Sequence, residues 1–146
     1  MNLKEGQKTI LVASQYDADG KTFIAQHLTD SLTAIGKKAL LINADLRETS
    51  NLRSSSARLL PEGRKKPAAD ILGGEEFAKQ VAQAKAANDF VVFDSPALGQ
   101  YADAYQLATF ADVTLFVVKA GHTKKSDIEA LNADTKLPNV MFTLNK

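Results

Sequence analysis

The stretch that decides the fold is SQYDADGKTF, residues 14–23, which lies between an apolar run and an amphipathic segment. The run before it, residues 9–13, is continuously apolar, as is typical of a strand buried on both faces. After it, apolar side chains recur at close to four-residue spacing, at Ile24, Leu28, Leu32 and Ile35. This spacing predicts a helix that ends at Gly36. A strand, a glycine-containing bend and a helix are the context in which Gly-Lys-Thr closes a phosphate-binding loop.

Four further apolar runs follow along the chain, at residues 39–42, 90–93, 113–118 and 140–144. Shorter helices are predicted at residues 67–73, 75–87, 102–109 and 125–134. Strands that alternate with helices indicate right-handed βαβ units, and continuous apolar runs suit a sheet covered on both faces. We therefore expect one α/β domain over residues 1–146, a three-layer P-loop NTPase-like sandwich with a mainly parallel five-stranded sheet and helices on both faces.

The amino-acid composition and charge limit the classes of protein to which the chain can belong. The 146 residues contain no cysteine, which excludes disulfide bonds and thiolate metal sites. The net charge of +1 favours neither nucleic acid nor a membrane surface as a partner. The N-terminal sequence lacks the apolar stretch of a signal peptide, and no run approaches the roughly 20 apolar residues of a membrane span. We expect a cytoplasmic protein with no nucleic-acid partner and no membrane span of its own.

The loop that Gly20, Lys21 and Thr22 close predicts a nucleotide site. A helix N-terminus presents unpaired N–H groups and about half a positive charge, and both attract phosphate. In such a loop Lys21 reaches the terminal phosphates and Thr22 binds Mg²⁺, so we expect ATP or ADP with Mg²⁺ as cofactors. An ordinary turn is the alternative, because Gly-Lys-Thr also arises by chance. The predicted nucleotide contacts are Ser14, Asp19, Gly20, Lys21, Thr22, Phe23 and Asn145.

Two further motifs place polar side chains at predicted strand ends. In ALLINADLR, residues 39–47, alternation puts Asn43, Asp45 and Arg47 on one face of the chain. In DFVVFDSPAL, residues 89–98, the apolar run ends in Asp94, which resembles the Walker B carboxylate that holds Mg²⁺. A polar strand end or a simple turn is the alternative for each motif. The predicted metal ligands are Thr22, Asp45 and Asp94, and the predicted catalytic residues are Lys21, Asp45, Arg47 and Asp94.

The three motifs, in their order and spacing, resemble those of the bacterial tyrosine kinases (BY-kinases), P-loop proteins that control polysaccharide synthesis and export. Residues 67–74, 101–123 and 139–146 resemble further segments of the family, so the similarity covers residues 8–146. The resemblance implies a nucleotide-binding protein of exopolysaccharide or capsule synthesis and, where catalysis is retained, an ATP-dependent protein-tyrosine kinase or ATPase. It also implies a membrane-anchored chain-length regulator as a partner and a homo-oligomer.

The chain departs from the family pattern at positions that bear on catalysis. Asp17, Ala18 and Asp19 stand where the family usually has Pro, Gly and a small residue, and a carboxylate repels a phosphate by about 1 kcal/mol at ~4 Å in bulk water. Asn43 replaces the first aspartate of the Walker A′ motif, and an amide cannot act as a base. The family's C-terminal tyrosine cluster is absent from a chain whose tyrosines are Tyr16, Tyr101 and Tyr105. We expect a trimmed, divergent member with degenerate Walker A and Walker A′ motifs and with weakened or lost catalysis.

Two other functions fit the same residues. A non-catalytic, pseudokinase-like module that docks on a membrane chain-length regulator is favoured by the acidic loop and by Asn43. A partition-type ATPase is disfavoured, because Tyr16 occupies the place of that group's extra lysine. The serine-rich, basic stretch 47–66 is interpreted either as a surface loop or as a functional loop beside the nucleotide. Asn145 follows a predicted strand at a position where related P-loop proteins read the base, which makes it a candidate contact of adenine.

Overall fold

The computed structural model describes residue 6 and residues 8–44, 56–57, 68–99, 103–133 and 136–146. Two of the predicted site residues, Asp45 and Arg47, lie outside these ranges, as does most of the stretch 47–66. The strands of the described ranges are β1 (Thr9–Ser14), β2 (Ala39–Asn43), β3 (Ser56–Ala57), β4 (Phe90–Asp94), β5 (Val113–Lys119) and β6 (Val140–Asn145). The helices are α1 (Lys21–Ala34), α2 (Ala68–Leu72), α3 (Glu75–Ala87), α4 (Asp103–Ala108) and α5 (Lys125–Ala133).

The strands form one sheet in the order β3-β2-β4-β1-β5-β6, and every pair of neighbours is parallel. The five strands predicted from the apolar runs are confirmed, and the two-residue β3 extends the sheet beside β2. β1 lies between β4 and β5 and is buried along its whole length, which explains why TILVA carries no polar alternation. In an open α/β sheet, ligands bind at the carboxyl ends of the strands where the strand order reverses. The end of β1 is that place in this chain.

Helices cover both faces of the sheet, as predicted. On one face, Ala25 of α1 belongs to the same buried cluster as Ile10 and Val12 of β1. On the other face, side chains of α3, α4 and α5 form the larger cluster with Phe93 and Phe116. None of the helices in the described ranges combines the length and the apolar character that a membrane crossing requires.

The end of α1 shows how the sequence sets a boundary. Ile35 caps the helix, and Gly36 follows with a φ of 83°. The amide of Gly36 donates to the Thr33 carbonyl and the amide of Lys37 to the Leu32 carbonyl, both at 3.0 Å. This pair of hydrogen bonds is a Schellman motif, which favours glycine because a Cβ is disfavoured at positive φ. The predicted helix end at Gly36 is confirmed.

The carboxyl ends of β1, β2 and β4 meet at one edge of the sheet. Asp94, the last residue of β4, is the register partner of Val12 in β1 and of Asn43 in β2. The amide of Ala44 donates to the Asp94 carbonyl at 3.0 Å, so pairing continues one residue beyond β2. Motifs that are far apart in sequence are therefore neighbours at this edge.

Candidate phosphate-binding site

The loop between β1 and α1 turns on Gly20. This residue has a φ of 93° and a ψ of 23°, and the first bond of α1 runs from the amide of Ile24 to the Gly20 carbonyl at 3.0 Å. Among the described residues no side chain caps the N-terminus of α1, and the first turn of the helix contains no acidic residue. Amides at a helix start need acceptors, and an anion is a suitable one. The local structure thus presents uncapped N–H groups where the sequence predicts a phosphate.

Lys21 begins α1 with a side chain that is only 7% exposed. Within the part of the chain that the structure describes, its ammonium group takes part in no hydrogen bond or ion pair. Burial of an uncompensated charge is unfavourable, and a bound anion would remove that cost. This lysine is therefore suited to hold an anionic group beside the uncapped amides.

Thr22 and Asp94, two of the predicted metal ligands, lie in contact. The Thr22 hydroxyl donates to Asp94 Oδ2 at 2.6 Å, and Asp94 is 1% exposed. A hydroxyl and a carboxylate are the hard oxygen donors that Mg²⁺ prefers, so these two residues fit a magnesium ion. The third predicted ligand, Asp45, and the predicted catalytic Arg47 lie outside the described residues.

Asn43 is 4% exposed and stands directly across the β2–β4 pair from Asp94. A carboxylate at this position would face the Asp94 carboxylate at a buried strand end. Like charges in a buried site repel unless a cation lies between them. A nearby cation would therefore stabilise an aspartate at this position, whereas the amide of Asn43 adds no charge that needs one.

Asn43→Asp is expected to lower the free energy of unfolding by about 1–3 kcal/mol without Mg²⁺ and by less when Mg²⁺ is present. The reason is that only the cation offsets the repulsion from Asp94. Denaturant unfolding with Mg²⁺ or with EDTA measures the difference, and Asn132→Asp on the exposed face of α5 serves as control. Equal losses under both conditions would argue against a cation site at this strand end.

The two acids of the loop have different environments. Asp17 is exposed, whereas Asp19 is fully buried. Asp19 Oδ2 accepts a hydrogen bond from the Tyr16 amide at 3.1 Å, and Asp19 Oδ1 lies 2.6 Å from His122 Nδ1. From the sequence, both carboxylates were expected to lie beside the phosphates, but the Asp19 carboxylate is hydrogen-bonded within the protein. The predicted contact of Asp19 with a nucleotide stays a prediction.

The other predicted nucleotide contacts are placed as follows. Ser14 is fully buried, and its hydroxyl donates to the Tyr16 carbonyl at 2.7 Å, which shapes the start of the loop. Phe23 is 59% exposed on α1, with its ring 4.2 Å from that of His27. Asn145 Nδ2 donates to the Asp19 carbonyl at 3.1 Å. Their contacts with a nucleotide remain predictions.

Ala18 adopts a φ of 61°, a left-handed conformation that costs a residue with a Cβ roughly 1–2 kcal/mol. Replacement by glycine removes this strain but adds entropy to the unfolded chain. Ala18→Gly is therefore expected to raise the free energy of unfolding by about 0.5–1 kcal/mol. Ala34→Gly, at the exposed last position of α1, should lower it by a similar amount. Urea unfolding of both variants tests the prediction, and a loss in both would contradict it.

The segment that follows β4 lies against the start of the loop, which sequence reasoning missed. The Ser95 hydroxyl donates to the Val12 carbonyl at 3.0 Å. The amides of Leu98 and Gly99 donate to the carbonyls of Ser14 and Gln15 at 2.9 and 3.0 Å. A Cβ at Gly99 would lie 2.7 Å from the Gln15 carbonyl oxygen, so this close approach requires glycine. Residues 95–99 and the β1–α1 loop thus pack together as one unit.

Tyr16 faces the turn that follows β5. Its ring centroid lies 5.0 Å from that of His122. A hydrogen bond with the Asp127 carboxylate, then burial and the negative charges of Asp127 and Asp19, raise the pKa of the Tyr16 hydroxyl. The phenol therefore stays protonated at neutral pH. His122 was not among the predicted site residues, although its position just beyond the carboxyl end of β5 was a signal that it lies near the candidate site.

Comparison with solved structures identifies the fold class of the chain. The kinase domain of Escherichia coli tyrosine kinase ETK superposes with a TM-score of 0.80 at 16% identity, covering 98% of this chain and 69% of that chain. The septum site-determining protein MinD of Pyrococcus horikoshii, solved with Mg-ADP, superposes with a TM-score of 0.63 at 16% identity, covering 94% and 70%. No family model matches the chain. The fold is nevertheless that of the P-loop NTPases.

Within this class the chain is a divergent relative of the bacterial tyrosine kinases, which confirms the resemblance of its motifs. It is 30% identical over 147 residues to tyrosine-protein kinase YwqD of Bacillus subtilis, covering 81% of this chain and 62% of that protein. It is 28% identical over 148 residues to the succinoglycan biosynthesis transport protein ExoP of Rhizobium meliloti, covering 80% of this chain and 19% of that protein. The chain thus spans less than two thirds of the length of these relatives.

Proposed function

We propose that the chain binds ATP or ADP with Mg²⁺ at the β1–α1 loop and serves as the nucleotide-binding part of a system for exopolysaccharide or capsule synthesis. The observation that carries the proposal is Lys21, a buried cation at the uncapped start of α1. The polysaccharide role is supported by relatives that are a tyrosine kinase and a succinoglycan transport protein. MinD, which shares the fold, was solved with Mg-ADP.

Lys21, Thr22 and Asp94 each have a role in this proposal. Lys21 and the first amides of α1 hold the terminal phosphates, because both are positively polarised groups at one point. Thr22 and Asp94 hold Mg²⁺ through their oxygen atoms. Asp45 and Arg47 are proposed from the sequence alone, as a further metal ligand and as a cation that steadies the phosphates. When bound, the magnesium ion would supply charge neutralisation at the phosphates.

Phosphoryl transfer is proposed to be slow or lost. Asn43 occupies the buried position across from Asp94, and its amide can neither accept the proton of an attacking hydroxyl nor match a carboxylate as a metal ligand. Transfer depends mainly on positioning and charge neutralisation, so the remaining residues are expected to support binding better than turnover. If transfer occurs, a tyrosine hydroxyl or water is the acceptor.

A melting-temperature titration with ATP tests the binding proposal. Ligand that binds only the folded state stabilises it in proportion to the logarithm of its concentration. We expect the melting temperature to rise with ATP when Mg²⁺ is present and to rise less in EDTA. Calorimetry gives the affinity, and a radiolabelled-phosphate assay measures any transfer. Identical melting curves with and without millimolar ATP·Mg²⁺ would reject nucleotide binding.

A second candidate function is a scaffold that docks on a membrane-anchored chain-length regulator at the inner face of the membrane. It is favoured by the buried amide of Asn43 across from Asp94. In this case the regulator should co-purify equally with the wild-type chain and with Lys21→Ala. Loss of co-purification in Lys21→Ala would show that docking depends on the nucleotide site.

A further inference from the structure

Three side chains from the β5–β6 side of the sheet bind the end of the phosphate loop. Lys119 Nζ donates to the Ala18 carbonyl at 2.8 Å. Asn145 Nδ2 donates to the Asp19 carbonyl at 3.1 Å, and His122 Nδ1 lies 2.6 Å from Asp19 Oδ1. We call Lys119, His122 and Asn145 the loop clamp. Its members reach two consecutive residues of the loop just before α1 begins.

The frame that carries the clamp is itself well fixed. Lys119 and Asn145 are register partners in the β5–β6 pair, so their side chains start from neighbouring points. The amide of Lys119 donates to the Thr123 hydroxyl at 2.9 Å, and the amide of Thr123 donates back to the Lys119 carbonyl at 3.0 Å. These bonds close the turn that presents His122. The clamp is therefore anchored in the sheet and not in a free loop.

The clamp lies directly against the bend at Gly20. A Cβ built on Gly20 would collide with the side-chain amide of Asn145. The hydrogen bond from Lys119 is accepted by the carbonyl of Ala18, the residue that has a φ of 61°. A hydrogen bond from a charged donor is worth about twice a neutral one, so it can sustain this unfavourable conformation. Both unusual backbone positions of the loop are thus held from the same side.

The carboxylate of Asp19 is hydrogen-bonded inside the protein. This carboxylate is fully buried and contacts the His122 imidazole and the Tyr16 amide. Among the described residues, no acidic side chain lies in hydrogen-bond contact with it. Tyr16 in turn packs its ring on His122. A buried carboxylate is stable only when such donors satisfy it. Asp19 therefore serves as an anchor point for the clamp and does not act as a free charge beside the phosphates.

We propose that the loop clamp holds the backbone amides of the β1–α1 loop in their phosphate-binding arrangement, with Asp19 as its anchor. Lys119, His122 and Asn145 are then positioning residues that act through the loop and need not touch the nucleotide. The expected effect of the clamp on nucleotide affinity rests on the proposed function. The structural part of the inference, the fixed shape of residues 16–20, is independent of any ligand.

The first test is the affinity for ATP·Mg²⁺ of Asp19→Ala, Lys119→Ala and Asn145→Ala, measured by calorimetry. Each is expected to bind about 5- to 50-fold more weakly than the wild type, because a loop carbonyl or amide loses its hydrogen-bond partner. Lys119→Arg keeps a cationic donor and should stay within about 3-fold of the wild type. Lys124→Ala and Asn132→Ala, exposed residues at α5, are the matched controls. Asp19→Ala that binds as tightly as the wild type or more tightly would overturn the clamp.

The second test separates the clamp from the nucleotide proposal. In the ligand-free protein, amide hydrogen exchange of Tyr16 should be at least about 10-fold faster in Asp19→Ala than in the wild type, since its acceptor is gone. Lys119→Ala, which leaves Asp19 in place, should speed exchange at residues 18–20 instead and provides a second variant if Asp19→Ala does not fold. Unchanged exchange in both variants overturns the clamp, whatever the affinity for ATP. Faster exchange together with a wild type that fails to bind ATP·Mg²⁺ supports the clamp and rejects the proposed function.

Discussion

Lys21→Ala is expected to weaken ATP·Mg²⁺ binding by at least about 100-fold, because each charge-assisted hydrogen bond to phosphate contributes about 1.5–3 kcal/mol. The same change should leave the ligand-free protein as stable as the wild type or more stable. The reason is that Lys21, 7% exposed, is a buried charge with no partner among the described residues. Calorimetry measures the binding, and urea unfolding without nucleotide measures the stability.

The control for Lys21→Ala is Lys37→Ala, which removes an exposed lysine just beyond the other end of α1. This variant should bind ATP·Mg²⁺ as the wild type does. If Lys21→Ala also binds like the wild type, the loop does not hold phosphate and the scaffold function becomes the better account. If Lys21→Ala loses stability without ligand, the lysine has a structural role that the described contacts do not explain.

Phe93→Ala is expected to lower the free energy of unfolding by about 3–5 kcal/mol. Phe93 is fully buried in β4, and its ring centroid lies 6.5 Å from that of Phe77 on α3. Truncation leaves a cavity in the hydrophobic cluster that Phe93 shares with Phe77 and Phe116. Because Phe93 directly precedes Asp94, the end of β4 should also become less ordered. Urea unfolding gives the stability, and exchange of the Asp94 amide reports the strand end.

Phe142→Ala is the matched control for Phe93→Ala, since Phe142 is 46% exposed on β6. It should cost less than about 1.5 kcal/mol, because a half-exposed ring leaves a smaller cavity and buries less apolar area. Equal losses in the two variants would mean that the sheet, and not the cluster around Phe93, limits stability.

The elements of this fold were largely predictable because their signals are local. Continuous apolar runs predicted the five longer strands, since a strand buried on both faces has no polar alternation. Gly36 predicted the end of α1, because positive φ at that point favours glycine. The two-residue β3 carries no such signal, and its pairing with β2 was not predicted.

The candidate site was predictable in part. Lys21, Thr22 and Asp94 could be proposed from the sequence, because a bend before a helix and a strand that ends in a carboxylate are recognisable motifs. The structure places Thr22 and Asp94 in contact. Gly99 was missed, because its requirement comes from the close approach of Gln15 and not from its own neighbours in sequence.

The sequence by itself determined the order of strands and helices, the bend at Gly20 and the polar residues at the ends of β2 and β4, because each follows from the spacing of nearby side chains. Only the tertiary structure decided the environment of Asp19. Its partners His122 and Asn145 are 103 and 126 positions away along the chain. A parallel sheet brings together the ends of strands that are far apart in sequence. No local sequence pattern predicts which side chains are then in contact. For this reason Asp19, which the sequence suggested would repel a phosphate, is a buried and hydrogen-bonded residue in the fold.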